Sequence, residues 1–295
     1  DSSKKPVYFH CLSDVSYLLL DKFSLFPVLF KTGGKMKKIS FIGMGNMAQA
    51  MVAGFTASGK VKGSDIYAYA PDQQKLAGNC GRLGINQCGT IEDAASSCDT
   101  LIMACKPYQI DDVLSKIGAS LSGKAIVSVA AGWNFDRYKK ALPEDARVQC
   151  IMPNTPVAVS RGVLLVEEEN DWQEEERRQL FDVLSSTGRV IELPDRLMTA
   201  AMAISGCGPA FMDMIIEALG DAAVKNGIQR KQAYELAAQT MAGSAQLMLD
   251  TGLHPGQLKD NVCSPGGTTI KGVASLEESG LRYAFIKAVD AIVKG

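Results

Sequence analysis

A run of two glycines and two threonines near the end of the chain has the most chemical content. The segment S-P-G-G-T-T at 264–269 precedes apolar residues at helical spacing, from Ile270 to Leu276, which predicts a loop that enters a helix. The N–H groups that such a helix start leaves unpaired, together with two hydroxyl groups, would suit a carboxylate. The same pattern is equally typical of a glycine turn with a threonine as N-cap.

A second segment, K-I-S-F-I-G-M-G-N-M-A at 38–48, has the pattern of a phosphate-binding turn. It places G-x-G-x-x-A between an apolar strand and a predicted helix. Gly43 would allow the tight turn, Gly45 would let the backbone approach a pyrophosphate, and Ala48 would let the helix pack closely on the strand. Because the motif begins an alternating strand and helix pattern, we predict dinucleotide binding rather than a structural turn.

The end of the second predicted strand indicates which dinucleotide binds. An NAD-preferring site usually carries an acid there, and none stands at Tyr69 or Ala70, although Asp72 follows Pro71. This favours NADPH, but no arginine stands nearby to bind the extra phosphate, so NADH is the alternative. The fourth predicted strand ends in A-C-K-P at 104–107, where Lys106 would either reach the cofactor or face solvent.

Two further loops stand at the ends of predicted elements. The segment S-G-C-G-P at 205–209 opens a helix, and M-P-N-T-P at 152–156 follows the last parallel strand. Asn154 in the second loop would either contact a nicotinamide or substrate, or simply belong to a rigid proline turn.

Composition excludes several classes of function. The chain has 295 residues, 46% of them hydrophobic, and a formal net charge of -1, so no global basic field exists for nucleic acid or an anionic membrane. With only two histidines, a Ser-His-Asp triad and a multi-histidine zinc site are excluded, and we predict no metal. The 8 cysteines form no C-x-x-C pair and no secretory leader stands out, which predicts reduced thiols in the cytoplasm.

The elements that must position these residues follow from periodicity. Apolar runs at 39–42, 66–69, 100–104, 125–130 and 148–152 alternate with helical segments such as 46–57 and 72–83. This alternation is typical of a Rossmann-like α/β fold, a parallel sheet with helices on both faces. Two more predicted strands, at 163–167 and 189–193, flank an acidic helix at 172–185.

No strand is predicted after residue 197. The predicted helices at 210–225 and 231–250 are apolar on most sides, so they must be buried. About a hundred residues of such helices are too few to bury all of these apolar surfaces within one chain. We therefore predict an all-helical C-terminal domain that buries its surface in a homodimer at least.

These patterns divide the chain into three parts. Residues 36–194 are predicted to form the dinucleotide-binding domain, and residues 195–295 the helical substrate and dimerisation domain. Residues 1–35 are an extension that we expect to lie outside the fold, either translated upstream sequence or, as a second interpretation, a targeting segment. The apolar stretch at 15–30 is broken by Asp21, Lys22 and Pro27 and is a poor transmembrane candidate.

Six segments, in this order, resemble the pyrroline-5-carboxylate reductase family. They are F-I-G-M-G-N-M-A, C-K-P, M-P-N-T-P, I-S-G-C-G-P-A, H-P-G-Q-L-K-D-N-V and S-P-G-G-T-T-I, and the resemblance runs from Met36 to the C-terminus. It implies hydride transfer from NADPH to L-1-pyrroline-5-carboxylate, a small-molecule substrate, to give L-proline. It also implies a helical domain that interleaves into a dimer, and in some members a ring of dimers.

The resemblance also implies site residues. Cofactor contacts would come from Ile42, Gly43, Met44, Gly45, Asn46, Met47, Ala70, Cys105, Lys106, Ala131 and Asn261. Substrate contacts would come from Gly267, Thr268 and Thr269, with Asp195 bordering the site, and Thr269 would be catalytic by orienting the ring nitrogen. Two departures stand out. Ala70 replaces a serine that often bonds the 2′-phosphate, and Thr268 replaces a frequent alanine, which we expect to be harmless.

Two other functions remain as alternatives. A β-hydroxyacid dehydrogenase resembles the chain in fold order, but that family carries a lysine in a G-x-x-x-K-x-x-N pattern on the first helix of its helical domain. The helix after Pro209 reads A-F-M-D-M-I-I-E-A-L and has no such lysine. A non-catalytic NADPH sensor would bind the cofactor and oxidise none of it with any imine.

Overall fold

The computed structural model describes residues 38–294, so the predicted extension at 1–35 lies outside the described residues. Within these described residues, eight strands form one sheet, and twelve α-helices surround or follow it. The strands are β1 (Ile39–Ile42), β2 (Ile66–Tyr69), β3 (Asn86–Gln87), β4 (Thr100–Met103), β5 (Ala125–Ser128), β6 (Arg147–Pro153), β7 (Gly162–Asn170) and β8 (Gly188–Leu193). The helices are α1 (Asn46–Ala57), α2 (Gln73–Leu83), α3 (Ile91–Ser96), α4 (Ile110–Ile117), α5 (Phe135–Ala141), α6 (Glu174–Ser185), α7 (Asp195–Ser205), α8 (Gly208–Lys225), α9 (Arg230–Thr251), α10 (Pro255–Asn261), α11 (Thr268–Glu278) and α12 (Leu281–Val293).

The sheet has the strand order β3-β2-β1-β4-β5-β6-β7-β8. The strands from β3 to β6 pair in parallel, which confirms the predicted Rossmann-like sheet. β7 then pairs antiparallel with β6, because the connection at 154–161 is too short for a parallel crossover. The longer connection through α6 restores parallel pairing between β7 and β8. The strand order reverses beside β1, which places a ligand crevice at the carboxyl ends of β1 and β4.

Apolar side chains fill both faces of this sheet, which confirms the predicted layers. On one face, Ile39 and Phe41 of β1 pack with residues of α1, α2 and α6, and on the other face Ile42 packs with residues of α3, α4 and α5. Because successive strand residues point to opposite faces, an uninterrupted apolar strand is needed to serve two helical layers. The core of residues 38–193 is therefore complete within one chain.

Residues 195–294 contain α-helices and connecting turns, as predicted, but they bury little. The buried residues among them are small: Ala203, Gly208, Gly220, Ala233 and Ala237. Of the large hydrophobic residues exposed within 38–294, all but three lie in this half, the exceptions being Tyr108, Val159 and Ile191. By length and composition alone, the segment 195–225 is long and apolar enough to cross a membrane, since an 18-residue window within it has a mean hydropathy of 1.4. A subunit interface accounts for the same exposed apolar faces.

Asn154 connects the two halves. Its side chain is 6% exposed, and its Nδ2 donates to Ser205 O at 2.8 Å while its Oδ1 accepts from Val163 N at 2.8 Å. Both polar atoms are thus occupied by backbone groups of β7 and of the end of α7. Of the two interpretations of this loop, the geometry favours a structural one, in which Asn154 holds the helical half against the sheet.

Candidate functional site

The predicted phosphate-binding turn forms at the point where the strand order reverses. Gly43 has φ +101°, and a methyl group on it would lie 2.6 Å from Ala104 O. Only glycine is tolerated here, because both the backbone conformation and the close approach of β4 exclude a Cβ. Gly45 is the N-cap of α1 with φ -76°, and a methyl group on it would meet no atom within 4 Å. Its hydrogen therefore faces open space above the turn, as a pyrophosphate site requires.

A cavity of about 370 Å³ opens at this turn. Its lining includes seven of the predicted cofactor residues: Ile42, Gly43, Met44, Gly45, Ala70, Cys105 and Lys106. Asn46 and Met47 occupy the adjoining first turn of α1, whose N-cap provides no side-chain hydrogen bond. The first N–H groups of α1 are thus left for an anionic ligand.

The turn after β4 contributes a neutral thiol and a cation to this cavity. Burial raises the pKa of Cys105 to about 11, so its side chain is a thiol at neutral pH and acts through its shape. Lys106 is exposed, and its backbone N–H donates to Gln109 Oε1 at 3.0 Å. This bond fixes the turn, and Lys106 lines the cavity.

A second, smaller cavity of about 110 Å³ lies beyond the ends of β5 and β6. It is lined by Ala131 and Asp195, two predicted site residues, and by Glu167, which the sequence analysis does not single out. Trp133 supports this region, since its Nε1 donates to Pro107 O at 3.1 Å. This bond ties the turn after β5 to the turn after β4, so that Ala131 and Lys106 are held on one edge of the sheet.

Glu167 is the buried carboxyl group of the second cavity, with 3% exposure. Burial is the main cause that raises its pKa, and the neighbouring Asp195 and Glu169 raise it further, while the Phe135 N–H at 3.2 Å partly offsets them. Burial and the same carboxyl group also raise the pKa of Cys150. The pair therefore favours its protonated forms at the floor of the cavity.

The S-P-G-G-T-T segment forms a tight turn followed by α11. Gly267 N donates to Ser264 O at 3.0 Å, and Gly266 has φ +69°, which is the arrangement of a type II turn with Pro265 in its second position. The N-cap of α11 is Gly267, with no side-chain hydrogen bond. The alternative of a threonine N-cap is therefore wrong. Within residues 38–294, the hydroxyl groups of Thr268 and Thr269 make no hydrogen bond and are exposed, together with the first N–H groups of the helix.

One chain does not bring all predicted site residues together. Neither cavity is lined by Asn261 at the end of α10 or by Gly267, Thr268 and Thr269 at the start of α11. These residues lie in the helical half, and Asn261, Thr268 and Thr269 are exposed. Their roles stay predictions that require a second surface to complete the site.

Several lining residues of the larger cavity were missed from the sequence. Among them are Lys75 and Asn79 on α2 and Lys116 on α4. Positions 75 and 79 are one helical turn apart on the helix that follows the second strand. That spacing could have pointed to a polar helix face above the predicted ribose position.

The described residues hold no other reactive cluster. No group of three or more His, Cys, Asp or Glu side chains is arranged as a metal site among residues 38–294. The described cysteines are free thiols: Cys80, Cys88, Cys98 and Cys150 are buried, and Cys105, Cys207 and Cys263 are partly buried. The predicted reduced thiols agree with this arrangement, while Cys11 lies outside the described residues.

Two family models match this chain. The model described as pyrroline-5-carboxylate reductase dimerisation matches residues 195–295, and the one described as NADP oxidoreductase, coenzyme F420-dependent, matches residues 38–132. The first covers the helices whose apolar faces are exposed, and the second covers the phosphate-binding turn and the larger cavity. The helical half is thus a dimerisation region, which confirms the predicted oligomer.

Relatives that align with most of this chain are named pyrroline-5-carboxylate reductase. The pyrroline-5-carboxylate reductase of Escherichia coli is 41% identical over 254 residues, 86% of this chain and 94% of that protein, and the enzyme of Treponema pallidum is 39% identical over 257 residues. Among solved structures, the Plasmodium falciparum pyrroline carboxylate reductase with NADP bound has a TM-score of 0.81 and 31% identity, and covers 88% of this chain and 97% of its own. Fold, turn and dimerisation region agree with these relatives, and the chain belongs to the pyrroline-5-carboxylate reductase family.

Proposed function

We propose that this chain reduces L-1-pyrroline-5-carboxylate to L-proline, with NADPH as the hydride donor. The observation that carries the proposal is the pairing of two features in a member of this family. An open dinucleotide crevice lies at the carboxyl ends of β1 and β4, and an exposed helix start at Gly267–Thr269 is suited to a carboxylate. The relatives at 39–41% identity carry the name of this activity.

The residues present fit NADPH. The turn at Gly43 and the open space above Gly45 admit a pyrophosphate, and the first N–H groups of α1 would bind its oxygens. The second cavity, at Ala131, would hold the nicotinamide end. When bound, NADPH supplies the hydride, while the protein supplies position and electrostatics.

The start of α11 would hold the substrate. Its N–H groups, that of Thr268 included, would bind the carboxylate, and the Thr269 hydroxyl would orient the ring nitrogen. Reduction adds a hydride to the carbon and a proton to the nitrogen of the C=N bond. A protonated imine is already electrophilic, so a strong side-chain acid is not required. The proton can arrive with the substrate or through water held by Thr269.

We further propose that the site is completed across the dimer. In one chain Gly267–Thr269 line neither cavity, whereas the helices that carry them belong to the dimerisation region and expose their apolar faces. A second subunit that covers those faces could bring its α11 to the crevice of the first. Asn261 would reach the cofactor by the same route.

The proposal also assigns the organisation of the protein. Residues 36–194 form the dinucleotide-binding domain and residues 195–295 the substrate and dimerisation domain. The enzyme works as a homodimer that can assemble further into a ring of dimers, and neither nucleic acid nor a membrane is its partner. Its free thiols support a place in the cytoplasm.

The direct test is the loss of NADPH absorbance at neutral pH, with and without L-1-pyrroline-5-carboxylate, and with NADH alongside. We expect rapid oxidation that depends on the imine and yields proline, faster with NADPH. Tight NADPH binding without oxidation would overturn the proposal in favour of a sensor. Oxidation of a 3-hydroxyacid with NADP⁺ instead would favour a β-hydroxyacid dehydrogenase.

Complementation tests whether the site crosses the dimer. A Gly45→Glu variant, which blocks the crevice, is co-expressed with a Thr269→Ala variant. If the crevice of one subunit uses α11 of the other, half of the dimers are mixed and each has one intact site, so about a quarter of the sites recover full activity. If each chain builds its own site, co-expression adds nothing to the residual activity of the two variants alone.

A further inference from the structure

The larger cavity includes the region that binds the adenosine ribose of a dinucleotide in this fold. In this fold the residues that follow the second strand approach the ribose 2′ position. Here they are Ala70, Pro71 and Asp72, and all three line the cavity. The Ala70 methyl group offers no hydrogen bond to either a hydroxyl or a phosphate.

Asp72 is the acid that could bond a ribose diol, but its side chain has a structural partner. Asp72 Oδ1 accepts from Lys75 N at 2.9 Å and so caps the start of α2. A carboxylate that caps a helix is fixed by that backbone bond. Its side chain is therefore less free to turn toward a 2′-hydroxyl, which removes one basis for a preference for NADH.

Three lysines line the same cavity, and they are not equivalent. Lys116 forms an ion pair with Asp112 at 2.8 Å. Lys106 lies on the turn after β4, whose backbone at 104–105 approaches Gly43 of the phosphate-binding turn. Lys75 lies in the first turn of α2, and among residues 38–294 its ammonium group has no ion-pair partner. Long side chains on a helix point back toward its N-terminus, which directs Lys75 toward the turn at Ala70–Asp72.

From this arrangement we propose that Lys75 binds the 2′-phosphate of NADPH and sets the preference of this chain for NADPH over NADH. The inference rests on the proposed cofactor but not on the proposed substrate. Asn79, one turn further along α2 on the same cavity wall, adds a neutral donor beside the phosphate. A lysine can serve this role without an arginine, since its ammonium group acts as a point charge on a phosphate.

The test measures binding without the imine. Calorimetry gives the Kd of NADP⁺ and of NAD⁺ for the wild type and for Lys75→Gln. A charged hydrogen bond predicts that the Kd of NADP⁺ rises by about 10-fold to 100-fold, while that of NAD⁺ changes by less than about twofold. Lys75→Arg keeps the charge and should retain the preference. Because no substrate is present, a failure of imine reduction does not affect this result.

Two control variants make the outcome specific. Lys62→Gln removes an exposed lysine outside the cavity and should change neither Kd. Lys106→Gln should weaken NADP⁺ and NAD⁺ alike, because Lys106 lies at a part of the cofactor that both share. An unchanged ratio of the two Kd values in Lys75→Gln, whether both rise or neither does, would overturn the assignment. Competition by 2′-AMP against 5′-AMP provides a second measurement of the same ratio.

Discussion

The two halves of the chain differ in whether their large apolar residues are buried or exposed. Residues 38–193 place theirs in two closed layers on a sheet, whereas residues 195–294 bury small residues and expose large ones. The first half is stabilised within one chain, and the second depends on a partner. The candidate site is divided in a similar way, since seven of its predicted cofactor residues line the larger cavity of the first half, whereas Asn261, Thr268 and Thr269 are exposed on the second.

This difference indicates how fold and activity are coupled. The crevice can bind a dinucleotide with the contacts of one chain, because its turn and helix start are fixed by the closed core. In the proposed dimer, the substrate residues would gain a second wall only when the helical halves associate. Dimerisation would therefore control catalysis more strongly than cofactor binding.

The largest expected effect follows from placing a charge on the exposed apolar helices. Met214 on α8 is 67% exposed and Ile286 on α12 is 60% exposed. Met214→Lys or Ile286→Lys would bury an unpaired charge at the subunit interface, at a cost of at least about 3 kcal/mol of association free energy. This corresponds to a rise of more than about 100-fold in the dimer Kd. Sedimentation velocity would show monomers, and imine reduction would be lost.

The matched control lies in the nucleotide half, residues 38–193. Tyr108 is 82% exposed, and Tyr108→Lys should leave the dimer intact. A dimer that keeps its mass in both Met214→Lys and Ile286→Lys would show that these faces do not form the interface.

The second-largest expected effect is a difference between alanine substitutions at the two glycines of the phosphate-binding turn. Gly43→Ala would force a methyl group to 2.6 Å from Ala104 O at φ +101°, which we expect to cost at least about 3 kcal/mol of folding free energy. Gly45→Ala meets no atom within 4 Å and should leave Tm unchanged. Its methyl group would instead meet the pyrophosphate, and a contact overpacked by about 1–3 kcal/mol raises the Kd of NADP⁺ about 5-fold to 150-fold.

Thermal unfolding and calorimetry on the same two variants check this prediction. The expected pattern is a large loss of Tm for Gly43→Ala alone, and weaker NADP⁺ binding at full stability for Gly45→Ala. Equal losses of stability in both variants would mean that Gly45 has a structural role that its open surroundings do not indicate.

Much of the nucleotide half could be predicted because its signals are local. The bounds of β1, β2 and α1 agree with the predicted segments, since each is a short apolar run or an amphipathic run next to a glycine turn. β3 was not predicted, because Asn86 and Gln87 carry no apolar signal and pair with β2 through backbone groups alone. The antiparallel pairing of β6 with β7 depends on a connection length, and periodicity does not report it.

The candidate site was harder to predict, because its decisive contacts are distant in sequence. The partners of Asn154 lie 9 and 51 residues away, so its structural role could not be read from the M-P-N-T-P segment. The proposed role of Lys75 in cofactor binding can be recognised only when the position of α2 relative to the end of β2 is known. The separation of Gly267–Thr269 from both cavities could not be foreseen either, since it depends on how α11 is placed relative to the sheet, which periodicity does not report.

The third effect tests the substrate residues of the helical half. Thr269→Ala should lower kcat/KM by about 1–3 kcal/mol of transition-state stabilisation, or about 5-fold to 150-fold, if its hydroxyl bonds the substrate. Thr268→Ala is the matched control at the adjoining position of α11 and should change kcat/KM little. Steady-state rates with L-1-pyrroline-5-carboxylate check both variants. An unchanged value for Thr269→Ala would remove its assigned role.

The smallest effect concerns the buried carboxyl group of the nucleotide half. Because burial raises the pKa of Glu167 above its ordinary value of 4.5, the folded state keeps a proton that the unfolded chain has already released. Raising the pH from about 4.5 through the folded pKa therefore destabilises the wild type. Glu167→Gln removes this titration and can still accept the Phe135 N–H. Its Tm relative to the wild type should rise with pH across this window and level off above it.

Glu168→Gln is the matched control. It removes the same charge as Glu167→Gln, but from an exposed neighbour on the same strand. Its Tm difference from the wild type should stay flat with pH, because this substitution leaves the buried carboxyl group of Glu167 in place. Scanning calorimetry at several pH values checks both variants. A flat difference for Glu167→Gln as well would mean that the folded and unfolded pKa values of Glu167 coincide. Burial would then not favour the protonated form of this carboxyl group at the floor of the second cavity.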